Sequence, residues 1–141
     1  CTALQIGLVD LLRSFEVVPD QVVGHSSGEI GAAYTIGAIS VSSAMQLAYF
    51  RGKFSDLLSA DLSHQGAMMA VALSEEEVKT YLQANLAKAN GVVVGCFNSS
   101  KSVTLSGPKS QVTALEVIFR EADIFARLLK VPVAYHSPQM S

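Results

Sequence analysis

The segment Gly24-His25-Ser26-Ser27-Gly28 constrains the fold of this chain more than any other feature. It has the pattern G-x-S-x-G, follows a predicted short apolar strand, Gln21-Val22-Val23, and precedes a predicted small-residue helix from Ile30 to Ile36. In this pattern a serine occupies a sharp turn between a strand and a helix, and the turn lifts its hydroxyl out of the sheet. The segment therefore predicts an α/β architecture in which Ser26 is a nucleophile; a purely structural turn is the alternative.

Ser27, the residue after the predicted nucleophile, also has a predicted role. It stands at the start of the predicted helix, where backbone N–H groups lack intrahelical acceptors and the helix dipole favours negative charge. Such an N–H group can hold the oxyanion that forms when a serine attacks a carbonyl group. Moving the nucleophile to Ser27 would lose both flanking glycines of the pattern, so Ser26 is favoured.

A serine nucleophile needs a base, and the chain has three histidines. His25 adjoins Ser26 on the elbow, where neighbouring side chains point apart, so we expect it to pack or hydrogen-bond locally; it stays a candidate for substrate binding. His64 lies in a polar connection and is expected to be solvated. His136 follows an apolar predicted strand, and the C-terminal ends of strands in α/β sheets commonly carry functional groups. The pattern favours His136 as the base.

Arg51 lies within the apolar stripe of a predicted helix, which Ser40 or Ser42 can cap and which reaches about Leu58. A cation in such a stripe is costly unless it is paired. It could extend to solvent or pair with Asp56. The alternative is that Arg51 binds an anionic substrate, because a guanidinium group contacts a carboxylate through two parallel hydrogen bonds. The stripe consists of Ala44, Leu47, Ala48, Phe54 and Leu58.

The remaining pattern predicts a further helix and then a compact α+β segment. Residues 2–16 form the helix, with Leu4, Leu8, Leu11, Leu12 and Phe15 on one face. From Gly66 the predicted order is strand, helix, strand, strand, helix, strand, which is the ferredoxin-like arrangement. Its strands are Met68–Leu73, Val92–Phe97, Val103–Ser106 and Phe125–Tyr135; its helices start at the Ser74–Glu77 capping box and at Pro108, the second with the apolar face Val112, Leu115, Ile118 and Phe119.

Composition excludes several classes of function. The net charge is −2 without a basic block, which gives no electrostatic basis for nucleic-acid binding. No apolar run approaches the roughly 20 residues that cross a bilayer. Two cysteines make neither a disulfide framework nor a metal cluster, and Cys96 is expected to be buried. A cytoplasmic location is predicted, and the chain, which opens on Cys1, reads as an excerpt of a larger polypeptide.

Three segments together resemble the malonyl-CoA:acyl carrier protein acyltransferase family, and most closely its domains in fungal reducing iterative type I polyketide synthases. Gly24 to Glu29 resembles the family's GHSxGE signature. Arg51 stands where the family carries its carboxylate-binding arginine, and Ala134-Tyr135-His136-Ser137 resembles the motif that ends in the catalytic histidine. The stretch from Asn98 to Gly107 is similar to the small subdomain of the family.

The resemblance implies a fold, a reaction and its partners. The fold is a partial α/β-hydrolase-like large subdomain (1–62 and 132–141) with an inserted ferredoxin-like small subdomain (63–131). The reaction loads malonyl units from malonyl-CoA, through an ester on Ser26, onto the phosphopantetheine of an acyl carrier protein. No bound cofactor or metal is implied, and a ketosynthase is the expected neighbouring domain. Tyr135 stands where malonyl-using members carry a bulky aromatic residue that fills the space of an α-methyl group.

The same resemblance also implies what this chain lacks. The family's glutamine loop, which supplies a second oxyanion donor, and the segment that orients the histidine have no counterpart in this sequence. We therefore expect apolar helix faces to be exposed and the isolated chain to be inactive. Two rival hypotheses remain: a serine esterase or thioesterase with Asp123 as the acidic group, and a non-catalytic piece.

Overall fold

A computed structural model describes residues 1–61, 63 and 65–140, so His64 lies outside the described residues. The chain divides into two compact units, Cys1–Phe54 and Ser55–Ser141. The helices are α1 (Thr2–Ser14), α2 (Gly28–Thr35), α3 (Val41–Ala60), α4 (Glu75–Ala84), α5 (Leu86–Ala89) and α6 (Lys109–Glu121). The strands are β1 (Gly66–Val71), β2 (Val93–Ser99), β3 (Ser102–Pro108) and β4 (Ala126–Leu128). Among the described residues, no helix has both the length and the apolar character needed to span a membrane.

The first unit is a small helical cluster built on a few contacts. Ile6 of α1, Tyr34 of α2 and Ala44 of α3 form its buried centre. The Tyr34 hydroxyl donates to the Asp10 carboxylate at 2.5 Å, and the Arg13 guanidinium lies 5.3 Å from the centroid of the Tyr34 ring. The bond to Asp10 raises the pKa of the Tyr34 hydroxyl, because it stabilises the protonated form. These polar contacts fix α1 against α2, and the Ser40 hydroxyl caps α3 by accepting from the Ser43 N–H.

The predicted apolar face of α1 is exposed, as the sequence led us to expect. Its members are between 40% and 78% accessible; they are Leu4, Leu8, Leu11, Leu12 and Phe15. The helix instead buries Thr2 and Ile6, which lie on another side. The first unit therefore presents a continuous apolar surface without a covering element in the part of the chain that the structure describes.

The strand predicted at Gln21-Val22-Val23 is wrong for this structure. The segment has no assigned strand conformation, and Val23 is 95% exposed. A strand needs a neighbouring strand for its backbone hydrogen bonds, and none pairs with these residues among those described.

The second unit is a four-stranded antiparallel sheet with strand order β2-β3-β1-β4. In the registers β1–β3 and β1–β4, Met69 lies opposite both Leu105 and Leu128. Alternation along the strands places these three side chains on one face. The other face carries Met68, Ala70, Thr104 and Ser106. The elements follow one another in the predicted order of strand, helix, strand, strand, helix, strand, with the short α5 inserted after α4.

The first face of the sheet is covered by α4 and α6. Val78 of α4 and Val112, Leu115 and Phe119 of α6 are fully buried against it. The predicted apolar face of α6 is thereby confirmed at those positions, and Ile118 packs at its margin. The predicted capping box is also present: the Glu77 N–H donates to the Ser74 hydroxyl, and the Ser74 N–H donates to the Glu77 carboxylate. These bonds hold the start of α4.

The extended stretch predicted from Phe125 to Tyr135 is shorter in the structure. Strand β4 ends at Leu128, and Pro132 lies in a bend. A proline has no N–H to donate to a neighbouring strand, which limits the ladder at this point. His136 consequently lies in a turn rather than directly after a strand, which corrects its predicted position.

Candidate active site

Ser26 occupies the predicted tight turn and has a strained backbone. Its φ angle is 54°, in the left-handed region that non-glycine residues seldom adopt. The Gly28 N–H donates to the His25 carbonyl at 3.0 Å, and the Glu29 N–H donates to the Ser26 carbonyl at 3.1 Å. These two bonds close the turn directly onto the first residues of α2. Such strain is frequently found where a residue must present its side chain for chemistry.

The two glycines of the pattern are not equally constrained. A Cβ atom added at Gly24 would lie 2.5 Å from the backbone N and Cα of Glu29, far inside any allowed contact. At Gly28 the nearest atom, Nε2 of Gln5, would lie 4.0 Å away, which is ordinary contact. Only Gly24 is therefore required by close backbone packing among these residues.

Ser27 and Arg51 line the same cavity of the first unit. Ser27 is the N-cap of α2, with φ −63° and ψ −15°. The cavity has a volume of about 450 Å³, which is in the range of small-molecule sites, about 300–1,000 Å³. The N-terminal end of α2, where Ser27 lies, and a guanidinium group therefore border one concave space. Its wall is formed by Cys1, Thr2, Ala3, Ser27, Ile30, Met45, Ala48, Tyr49 and Arg51.

The predicted stripe around Arg51 is only partly correct. Ala44 is fully buried, whereas Leu47 and Phe54 are 52% and 61% exposed. Within the first unit, the inward side of α3 instead runs through Ala44 and Ala48, which are four residues apart on one helix face. Arg51 lies on this side and is itself exposed. Its charge thus has access to solvent in the cavity wall, which removes the desolvation cost that the sequence suggested.

His136 has a strained backbone like that of Ser26. Its φ angle is 60°, and these two residues are among the four non-glycine residues with positive φ in the described chain; the others are Glu16 and Asp123. Its imidazole is exposed in the second unit. Both predicted catalytic residues, one in each unit, therefore have a left-handed backbone, a conformation that Glu16 and Asp123 share.

The turn that carries His136 is anchored to the second face of the sheet. The hydroxyl of Ser106, a fully buried residue of β3, donates to the Tyr135 carbonyl at 2.5 Å. A Cβ at Gly95 of β2 would lie 3.4 Å from that carbonyl oxygen and 3.5 Å from the His136 Cβ. The Ser137 hydroxyl donates to the Ala134 carbonyl at 2.7 Å, which braces the other side of the turn.

Tyr135 is held at its side chain as well. Its hydroxyl donates to the hydroxyl oxygen of Ser55, at the second unit's end of α3, over 2.9 Å. Ser55 is 5% exposed, so this bond lies in a largely water-free position. Sequence reasoning missed Ser55 and Ser106. The signal for Ser106 was available, because it alternates with Val103 and Leu105 and so points to the opposite face of β3.

Three other residues fit catalysis poorly. His25 is exposed, which excludes the packed position suggested for it. Cys96 is half-buried rather than buried, and burial raises the pKa of its thiol, which disfavours the nucleophilic thiolate. Asp123, the acidic group of the esterase hypothesis, is exposed at the end of α6. The acid of a serine triad is normally buried against its histidine.

The chain belongs to the acyl transferase domain family, whose sequence description matches residues 1–141. It is 49% identical over 144 residues to highly reducing polyketide synthase 40 of Fusarium mangiferae, covering 100% of this chain and 6% of that protein. It is 51% identical over 140 residues to reducing polyketide synthase rads1 of Floropilus chiversii, covering 99% of this chain and 6% of that protein.

The fold has close counterparts among solved structures. One is the acyltransferase domain of phenolphthiocerol/phtiocerol synthase A from Mycobacterium bovis (BCG), with a TM-score of 0.83 and 29% identity over 99% of this chain and 50% of that one. The resemblance to acyltransferase domains of fungal reducing polyketide synthases is thereby confirmed. The chain spans about 6% of the length of these fungal relatives.

Proposed function

We propose that this chain is the central part of an acyltransferase domain that loads malonyl units onto an acyl carrier protein. The observation that carries the proposal is the single cavity bordered by Ser27 and Arg51. The Ser27 N–H at the start of α2 can stabilise a negative oxygen, and the Arg51 guanidinium can bind a free carboxylate. A substrate that needs both is an acyl thioester with a carboxylate at its far end, and malonyl-CoA is the smallest substrate of this kind implied by the family resemblance.

The first half-reaction forms an ester on Ser26. His136 takes the hydroxyl proton as the Ser26 oxygen attacks the thioester carbonyl. The Ser27 N–H holds the negative oxygen of the tetrahedral intermediate, together with a donor from outside this chain. When the intermediate collapses, the carbon–sulfur bond breaks, and coenzyme A leaves as a thiol with the proton that His136 returns.

The second half-reaction uses the same groups in reverse. His136 takes the proton of the phosphopantetheine thiol, whose sulfur attacks the malonyl ester. The Ser26 oxygen leaves and recovers its proton from His136. Arg51 holds the malonyl carboxylate throughout, so that the reacting carbonyl stays in place for both attacks. No cofactor or metal takes part.

Two further parts of the proposal concern architecture and selectivity. The strand order β2-β3-β1-β4 and the element order support a ferredoxin-like subdomain, and we propose that it is inserted into an α/β-hydrolase-like one. The bulk of Tyr135 favours malonyl over methylmalonyl, and one methyl group is worth about 1–3 kcal/mol of discrimination. The proposed partners are an acyl carrier protein and a neighbouring ketosynthase, and the proposed location is the cytoplasm.

Malonyl labelling of the full-length polypeptide that contains this chain tests the proposal. After brief incubation with labelled malonyl-CoA, peptide mass spectrometry is expected to find malonate on the peptide that carries Ser26. The label should disappear in Ser26→Ala and persist in Ser27→Ala, since an alanine at position 27 keeps the backbone N–H. Steady-state kinetics with a carrier protein are expected to be ping-pong. Label that remains after Ser26→Ala would refute the assignment of the nucleophile.

The same preparation separates transfer from hydrolysis. With carrier protein present, the malonyl group is expected on its phosphopantetheine thiol. Predominant release of free malonate would instead support the esterase hypothesis, which the exposure of Asp123 disfavours. Absence of any acylated Ser26 would support the non-catalytic alternative.

A further inference from the structure

Tyr135 is held at both ends by two buried serines. Its backbone carbonyl accepts from Ser106, which is 0% exposed, and its phenolic hydroxyl donates to Ser55, which is 5% exposed. The two serines come from different elements, β3 and α3. The residue is therefore tied to the sheet through its backbone and to a helix through the tip of its ring.

The bond to Ser55 restricts how the ring can move. With the backbone fixed at the carbonyl, rotation about the side-chain torsions must carry the phenolic oxygen away from Ser55 and break the bond. Ser55 is 5% exposed, so water does not readily replace the bond that this rotation breaks. A tyrosine ring without such a tether would change rotamer more readily to admit a larger group.

We propose that Ser55 is a positioning residue for acyl selectivity, because its hydrogen bond keeps the Tyr135 ring from yielding to an α-substituted acyl chain. The inference rests on the proposed function, in which Tyr135 discriminates malonyl from methylmalonyl. It adds a residue that touches no substrate and acts through the tyrosine.

A double-mutant cycle in the full-length polypeptide tests the tether. The variants are Ser55→Ala, Tyr135→Phe and the double variant, and each is given malonyl-CoA and methylmalonyl-CoA in competition. Mass spectrometry of the Ser26 peptide then gives the ratio of methylmalonyl to malonyl ester. Ser59→Ala, one turn further along α3 and half-buried, is the matched control.

Each single variant is expected to raise that ratio by about 3- to 10-fold, the value of one net hydrogen bond. The double variant should raise it no further than either single variant, because both remove the same bond. The Ser59→Ala ratio should equal that of the wild type. A general loss of stability would lower the yield of both esters together. It would not change their ratio, nor make the effect of the double variant equal to that of a single variant.

Two results would overturn the inference. One is an unchanged ratio in Ser55→Ala; the other is a double variant whose effect is the product of the two single effects. If Ser55→Ala does not fold, Tyr135→Phe alone decides, since it removes the same bond and keeps the ring. Failure of the proposed function is distinguishable, because then the wild type itself forms no malonyl ester on Ser26.

Discussion

The Ser106 hydroxyl and the Tyr135 carbonyl are 29 residues apart in sequence and 2.5 Å apart in space. This bond joins the centre of the sheet to the residue that precedes the strained His136. It is the contact through which a sheet residue can set the position of the predicted base.

Replacing Ser106 by alanine is expected to reduce both stability and turnover. The Tyr135 carbonyl loses a buried donor, which costs about 1–3 kcal/mol of unfolding free energy. If the bond positions His136, kcat for malonyl transfer should fall while the KM for malonyl-CoA changes little. Urea denaturation and steady-state kinetics measure the two effects, with the exposed Ser110→Ala on α6 as control. A loss of stability with unchanged kcat would restrict Ser106 to a structural role.

Replacing Gly24 by alanine is expected to disrupt the elbow. The new Cβ would lie 2.5 Å from backbone atoms of Glu29, so the turn must open or α2 must shift. Acylation of Ser26 should be lost. Gly7→Ala on α1 is the control, because a Cβ there meets nothing within 4 Å, and alanine in a helix interior is expected to stabilise by about 0.5–1 kcal/mol. Wild-type acylation in Gly24→Ala would show that the turn does not need this glycine.

Replacing Arg51 by alanine is expected to impair malonyl loading and to spare acetyl loading. The guanidinium binds the carboxylate that malonyl carries and acetyl lacks, so only one substrate loses a partner. A charge-assisted hydrogen bond is worth about 1.5–3 kcal/mol, which predicts roughly a 10- to 100-fold fall in kcat/KM for malonyl-CoA. Lys53→Ala, two residues further on α3, controls for loss of positive charge. Equal losses for both acyl donors would refute the role of Arg51.

The capping box of α4 predicts a specific dependence of stability on pH. The Ser74 N–H and hydroxyl donate to the Glu77 carboxylate and hold its pKa below the ordinary value. Because the folded-state pKa is lowered, the contribution is complete above the unfolded pKa and is lost as pH falls through the folded pKa. The difference in unfolding free energy between wild type and Glu77→Gln should be constant at neutral pH and shrink in acid. Glu76→Gln, which makes the same charge change in the same turn, is the control.

Local patterns predicted most of the second unit, because its elements pair with one another. Neighbouring residues are enough to predict the apolar periodicity of α6, the Ser74–Glu77 capping box, and the order of strands and helices along the chain. The strand at Gln21-Val22-Val23 was wrong because strand formation depends on a partner, which a local apolar run does not supply. The exposed face of α1 shows the same principle, since its periodicity predicts a helix but not what covers it.

The candidate site was predicted only in part, for a related reason. Ser26, Arg51 and His136 come from motifs, and the structure gives two of them a strained backbone and the third a place in a cavity wall. Ser55 and Ser106 have no motif, and their roles depend on contacts with Tyr135 across 80 and 29 residues of sequence. Alternation along β3 predicts which face Ser106 occupies, but the contacts of both serines with Tyr135 are fixed only by the packed fold.

The left-handed backbone at Ser26 has a consequence for anyone who engineers this protein. A serine in that conformation costs of the order of 1–3 kcal/mol, and a glycine there would not. Selection for thermal stability alone would therefore favour Ser26→Gly and enrich more stable variants that have lost the acyl-carrying oxygen. Laboratory evolution of this domain has to measure product formation in every round, because folding stability favours glycine at position 26 and acyl transfer requires serine there.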